Sequence, residues 1–131
     1  TLNINRIVQD WTRESEEELP LYITHIVNRV HKYLTAFNEI IWDSKNAGLL
    51  TIFNAGFIDL DRQYLTIGIN GFVEGAEYLG IPIDADSAEY QLYAKDILET
   101  IKNLNIAART DRCKFNTEFV PAESLGVKNA K

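Results

Sequence analysis

The sequence predicts a mixed, helix-rich α/β fold. Two long stretches carry apolar residues at steps of three and four, the period of an amphipathic helix, and short stretches between and after them alternate apolar and polar residues, the period of a strand. Helical segments outweigh the strands, which suits a mixed sheet with helices packed on it.

Thr1 to Trp11 opens with Leu2 and Ile4 in weak alternation and continues through Ile7 and Val8, a short strand turning into a helix. From Leu19 the apolar stripe is clear: Leu19, Ile23, Ile26, Val27, Val30, Leu34, Phe37 and Ile41 share one face of a long helix. Ser15 and Glu18 have the spacing of a capping box, and Glu16 to Glu18 favour the positive end of the helix dipole. Pro20 is tolerated only in a first turn, so the helix is expected to begin there or just before, and Asn46 with Gly48 supplies its stop. Leu49 to Phe57 reads as a strand or extended connection. Tyr64 to Ile69 alternates as a strand that breaks at Gly68, Asn70 and Gly71. Phe72, Val73, Ala76 and Leu79 then share a helical face, with Asn70 as the expected cap and Gly80 and Pro82 as the end. A second long helix follows Ser87, through Tyr90, Tyr93, Ala94, Ile97, Ile101 and Leu104 to about Ala108. Phe115, Thr117 and Phe119 alternate with Asn116, Glu118 and Val120 as a last strand halted by Pro121.

Composition bounds the function. With 131 residues, 46% apolar, the chain fits one domain (1–131) with a real core, and no repeat or Gly/Pro/Ser-rich linker divides it. Nineteen acidic against 13 basic residues, a net charge of -6, leave no clustered cations for nucleic acid or an anionic membrane. No apolar run approaches the roughly 20 residues that span a bilayer. A lone cysteine forms no internal disulfide and suits a reducing cytoplasm. The first residue is threonine and the last ones carry no helix stop, so both ends read as cuts.

Few places in the sequence are candidates for chemistry. The Thr66–Glu74 stretch joins strand to helix through glycines, yet its register is neither a dinucleotide fingerprint nor a P-loop, so a plain turn is the favoured reading. The loop from Val120 to Gly126 follows a strand and combines a carboxylate with a hydroxyl. Glu123 is able to orient a hydroxyl, while Ser124 and the amides near Ala122 are able to donate to phosphate oxygens; a solvated turn fits the same residues equally well. Cys113, His25 and His31 lack the neighbours that catalysis or metal binding requires and read as core or surface residues. Asp59, Asp61, Asp84 and Asp86 lack the spacing of a calcium loop.

Three stretches carry a family resemblance. Asn54–Leu60 leading into Gln63–Glu74 resembles a strand-turn-helix segment of anaerobic (class III) ribonucleoside-triphosphate reductases, members of the glycyl-radical group; Phe115–Lys131 resembles a later strand and loop of that family, and Thr1–Ile7 its strand after the finger loop. The resemblance implies a segment of a ten-stranded α/β barrel, reduction of ribonucleoside triphosphates to deoxyribonucleotides, and a Pro-x-Glu-Ser phosphate loop at Pro121, Ala122, Glu123 and Ser124. Glu118 is implied as a further substrate-side carboxylate. It also implies that the finger-loop cysteine lies before Thr1, and that a cysteine-ligated zinc and the radical glycine lie after Lys131. No cofactor is then expected within this stretch, Cys113 matches no catalytic position, and the fragment alone is expected to be inactive. The implied partners are the nucleotide substrate and a radical-generating activase; separately, the open edges of a partial barrel make a homodimer physically expected, and charge and hydropathy leave nucleic acid and membrane out. A different class of reading keeps the barrel scaffold as a self-associating helical interaction module.

Overall fold

The two stripes of the sequence become the two long helices of the computed structural model, which describes residues 1–48, 55–56 and 64–120. The order is β1 (Leu2–Asn3), α1 (Ile4–Glu14), α2 (Leu19–Asn46), β2 (Tyr64–Asn70), α3 (Phe72–Tyr78), α4 (Ala88–Ala108) and β3 (Lys114–Phe119). The segment expected to be extended from Leu49 lies outside the described residues except for Ala55 and Gly56, and Pro121 lies outside them too.

Helix starts follow local chemistry. The Asn3 side chain accepts the Arg6 N–H at 3.1 Å and caps α1. At α4 the Ser87 hydroxyl accepts the Tyr90 N–H at 3.5 Å, the cap expected there. The capping box expected for α2 does not form. Ser15 instead closes α1, its N–H donating to the Trp11 carbonyl at 3.1 Å, and its hydroxyl takes the Glu17 N–H at 3.1 Å. Glu18 is the N-cap residue without a side-chain bond, and Pro20 sits in the first turn, where its missing N–H costs nothing. The cap of α3 is also displaced by one residue. Asn70 remains paired with Asn3 in the sheet, and Gly71, at φ +66°, makes the turn.

Both strand pairs are parallel, in the order β1-β2-β3, where the sequence predicted a mixed sheet. Leu2 faces Ile69 across the first pair, and the second runs from Tyr64 opposite Lys114 to Ile69 opposite Phe119. The reason lies in the connections: among the described residues β1 and β2 are each followed by two helices, long enough to return the chain and start the next strand in the same direction. β2 also runs straight through Gly68, which leaves room for a close approach: a Cβ there would lie 2.5 Å from the Val120 side chain and 3.1 Å from the Thr1 hydroxyl.

The core lies between sheet and helices. Ile4 and Val8 of α1, Ile23 and Val27 of α2, Ile67 and Ile69 of β2, and Ile97 and Ile101 of α4 are fully buried in one cluster. Burial of each stabilises by roughly 1.5–3 kcal/mol. This apolar layer fixes which sheet face is covered and which carries the polar residues. No helix among the described residues is long and apolar enough to cross a membrane.

Candidate functional site

Alternation along β2 and β3 sorts their side chains onto two faces. Ile67 and Ile69 join the core, the Phe115 ring lies 4.5 Å from that of His31, and the Phe119 ring packs edge-on against Phe72 at 5.7 Å. Thr66, Gly68, Asn116 and Glu118 therefore belong to the opposite face. There the Thr66 hydroxyl donates to Asn116 Oδ1 at 2.7 Å, and Asn116 Nδ2 reaches Glu118 Oε1 at 3.5 Å. Glu118, the carboxylate expected on the substrate side, ends this polar row in an exposed position opposite Gly68. An exposed carboxylate steadied by one amide keeps free lone pairs for hydroxyl or amide donors.

The ends of parallel strands are where ligands settle in α/β sheets. Here β3 leaves the sheet beside the end of β2, because the Val120 N–H donates to the Ile69 carbonyl at 2.9 Å. The phosphate-loop candidates Ala122, Glu123 and Ser124 follow immediately in sequence and lie outside the described residues. Glu118 is thus placed with Asn116 and Thr66, two partners that sequence reasoning did not single out. Their signal was the alternation itself: polar Thr66, Asn116 and Glu118 fall on one side of apolar Ile67, Phe115 and Phe119.

Behind the sheet lies a polar chain that was not anticipated. His31 Nε2 is 2.7 Å from Asn105 Oδ1, and Asn105 Nδ2 donates to the Thr117 hydroxyl at 2.9 Å. Since the Asn105 amide nitrogen serves Thr117, its oxygen accepts, which assigns the His31 proton to Nε2. α2, α4 and β3 are tied together by this chain. His25, by contrast, is exposed on α2 and lies 3.5 Å from a Glu17 carboxylate oxygen. Cys113 is buried, with Asn38 Nδ2 donating to its sulfur at 3.2 Å and to the Arg112 carbonyl at 2.6 Å. A thiol so enclosed reads as packing, in line with the sequence. Among the described residues no group of three or more His, Cys, Asp or Glu side chains is placed to hold a metal, and a cysteine-ligated zinc does not fit them.

The turn after β2 is pinned from α4. The buried Tyr93 hydroxyl donates to the Phe72 carbonyl at 2.8 Å. Burial pushes its phenol pKa up, and Tyr90 and Glu74 add to the rise, so the group is a fixed donor at any ordinary pH.

Comparison with known proteins identifies the family and the fold. The sequence model of the family described as anaerobic ribonucleoside-triphosphate reductase matches residues 1–131. A solved anaerobic ribonucleotide reductase is 32% identical with a TM-score of 0.84, over 98% of this chain and 22% of that one. The Thermotoga maritima anaerobic ribonucleotide reductase, solved with citrate in the active site, is 32% identical with a TM-score of 0.84, over 98% of this chain and 25% of that one. The Thermotoga maritima enzyme with dATP bound in the specificity site is also 32% identical, with a TM-score of 0.83, over 98% of this chain and 23% of that one. The chain spans about a quarter of the length of these solved structures. No curated protein matches it.

Proposed function

The chain belongs to the anaerobic ribonucleoside-triphosphate reductase family, whose model covers residues 1–131, and from that premise we propose that it forms part of the substrate face of an oxygen-sensitive reductase that makes deoxyribonucleotides from ribonucleoside triphosphates in the cytoplasm. The observation that carries this reading is the polar row Thr66, Asn116 and Glu118 on the sheet face turned away from the helices, running toward the exit of β3. In such a reductase β1, β2 and β3 make one arc of a ten-stranded barrel, with this row lining the interior.

Each residue then has a role set by its chemistry. Glu118 accepts hydrogen bonds from ribose hydroxyls; its negative charge keeps it off the triphosphate. Asn116 holds that carboxylate in place. Ser124 and the amides around Ala122 donate to phosphate oxygens, and Glu123 orients a neighbouring hydroxyl. Cys113 takes no part, because it is buried beside Asn38. The radical cysteine, the radical glycine, the zinc and the contact with the activase are assigned to other parts of the reductase, and no step above runs through them. The dATP in the specificity site of the Thermotoga maritima relative points to effector control of the intact enzyme as well.

The test is an anaerobic assay of deoxynucleotide formation by a reductase containing this segment. Ser124→Ala is expected to raise the KM for the triphosphate roughly tenfold, the loss of one charge-assisted hydrogen bond, and Glu118→Gln to lower kcat/KM. Unchanged kinetics in both variants would reject the substrate face.

A second reading, a self-associating module, is favoured by one observation. Phe119 and Ile106, 61% and 63% exposed, line the same cleft between α4 and β3. Sedimentation separates the two readings: a dimer that Phe119→Lys dissociates, with no effect of Ser124→Ala on nucleotide affinity, supports the module.

A further inference from the structure

On the far side of the helical layer an open cleft of about 510 Å³ lies where α1, the start of α2, the end of α3 and the first turns of α4 meet. Its apolar surface comes from Trp11, Leu79, Ile81 and Leu92, the last of them 60% exposed. Glu18, Glu89 and Asp96 line it too, and none of the described lining residues is a cation. None of the three carboxylates has an ion-pair partner among the described residues. Helix dipoles account for two of them, since Glu18 caps α2 and Glu89 lies in the first turn of α4. Asp96 lies two turns further along α4, beyond the reach of the dipole, beside apolar surface that water covers poorly.

We infer that this cleft is a docking groove for a basic amphipathic polypeptide segment, one that inserts apolar side chains between α2 and α4 and sets lysine or arginine against Glu18, Glu89 and Asp96. Charge complementarity selects this occupant. A neutral apolar segment would bury three carboxylates without partners, an expensive arrangement, and an acidic one would be repelled. A cation beside the insert gains the Trp11 ring as well, which is held in place by its indole N–H bond to the Glu17 carbonyl at 2.7 Å. The groove lies away from the polar face of the sheet, so this inference stands apart from the nucleotide reading.

The test uses a fluorescently labelled helical peptide of leucine and lysine with one apolar face, and a scrambled peptide of equal composition without one. Anisotropy is expected to show binding of the patterned peptide alone, weakened by salt and weakened roughly tenfold by Leu92→Gln and by Asp96→Lys. Glu77→Lys, an exposed acidic position on α3 outside the groove, is expected to leave the affinity unchanged. Circular dichroism checks the fold, and should Asp96→Lys unfold the chain, the exposed Glu89→Lys gives the same reading. Equal binding of the scrambled peptide, an equal effect of Glu77→Lys, or no binding of either peptide overturns the inference.

Discussion

Asn105 shows how much a single amide is able to hold. Its oxygen accepts a hydrogen bond from the His31 Nε2–H and its nitrogen donates to the Thr117 hydroxyl, so the side chain joins two helices to the strand that carries Glu118 on its other face. Asn105→Ala strands a buried imidazole N–H, and a loss of about 2 kcal/mol in urea denaturation is the expected result. Tyr93 makes a pH-dependent contribution whose sign follows from its environment. Its folded pKa is raised, chiefly by burial and then by Tyr90 and Glu74, while the unfolded phenol ionises near 10. Its contribution is therefore complete below about pH 10 and shrinks as pH rises above it, because the unfolded chain releases the proton first. Tyr93→Phe is expected to cost about 1 kcal/mol at neutral pH and to flatten the alkaline fall in stability, both read from denaturation curves across pH.

Among elements, the turn between β2 and α3 is the most constrained. Gly71 and Gly48 both have positive φ, +66° and +78°, yet a Cβ at 71 would lie 2.8 Å from the Asn3 oxygen that caps α1, while one at 48 meets nothing within 4 Å among the described residues. Gly48→Ala is expected to cost about 1 kcal/mol from backbone strain alone. Gly71→Ala should cost distinctly more, and comparing thermal midpoints of the two variants isolates the close approach. This turn also shows where the sequence stops being readable. The stripes of α2 and α4 and the alternation of β2 and β3 were legible, because each repeats one physical preference many times. The caps at Ser15 and Asn70 were not, because each side chain or backbone was already engaged by a neighbouring element. Parallel pairing was not legible either, since alternation marks faces and not direction. For the site, Glu118 was legible as a carboxylate on a strand. Its link to Thr66 was not, because the link exists only once β2 and β3 lie side by side.

Taken whole, the molecule is acidic, with 19 carboxylate residues against 13 basic ones. For the substrate face proposed above, the net field of these residues repels a triphosphate, so what they contribute to holding it comes from directed hydrogen bonds. An extended polyanion cannot be gripped in that way at many points, so anisotropy with labelled duplex DNA at physiological salt is expected to show no binding.

The register of the sheet also constrains how the chain is made. Thr66 and Asn116 are neighbours across the sheet and 50 residues apart in the sequence. At the usual pace of translation, about 5–20 residues per second, β2 emerges several seconds before the strand it must pair with. During that interval α3 and then α4 emerge, so the apolar side of β2 gains its helical cover before its second sheet neighbour arrives. What stays open in that window is the β3-facing edge of β2, a row of unpaired backbone donors and acceptors able to accept a wrong strand until β3 is made.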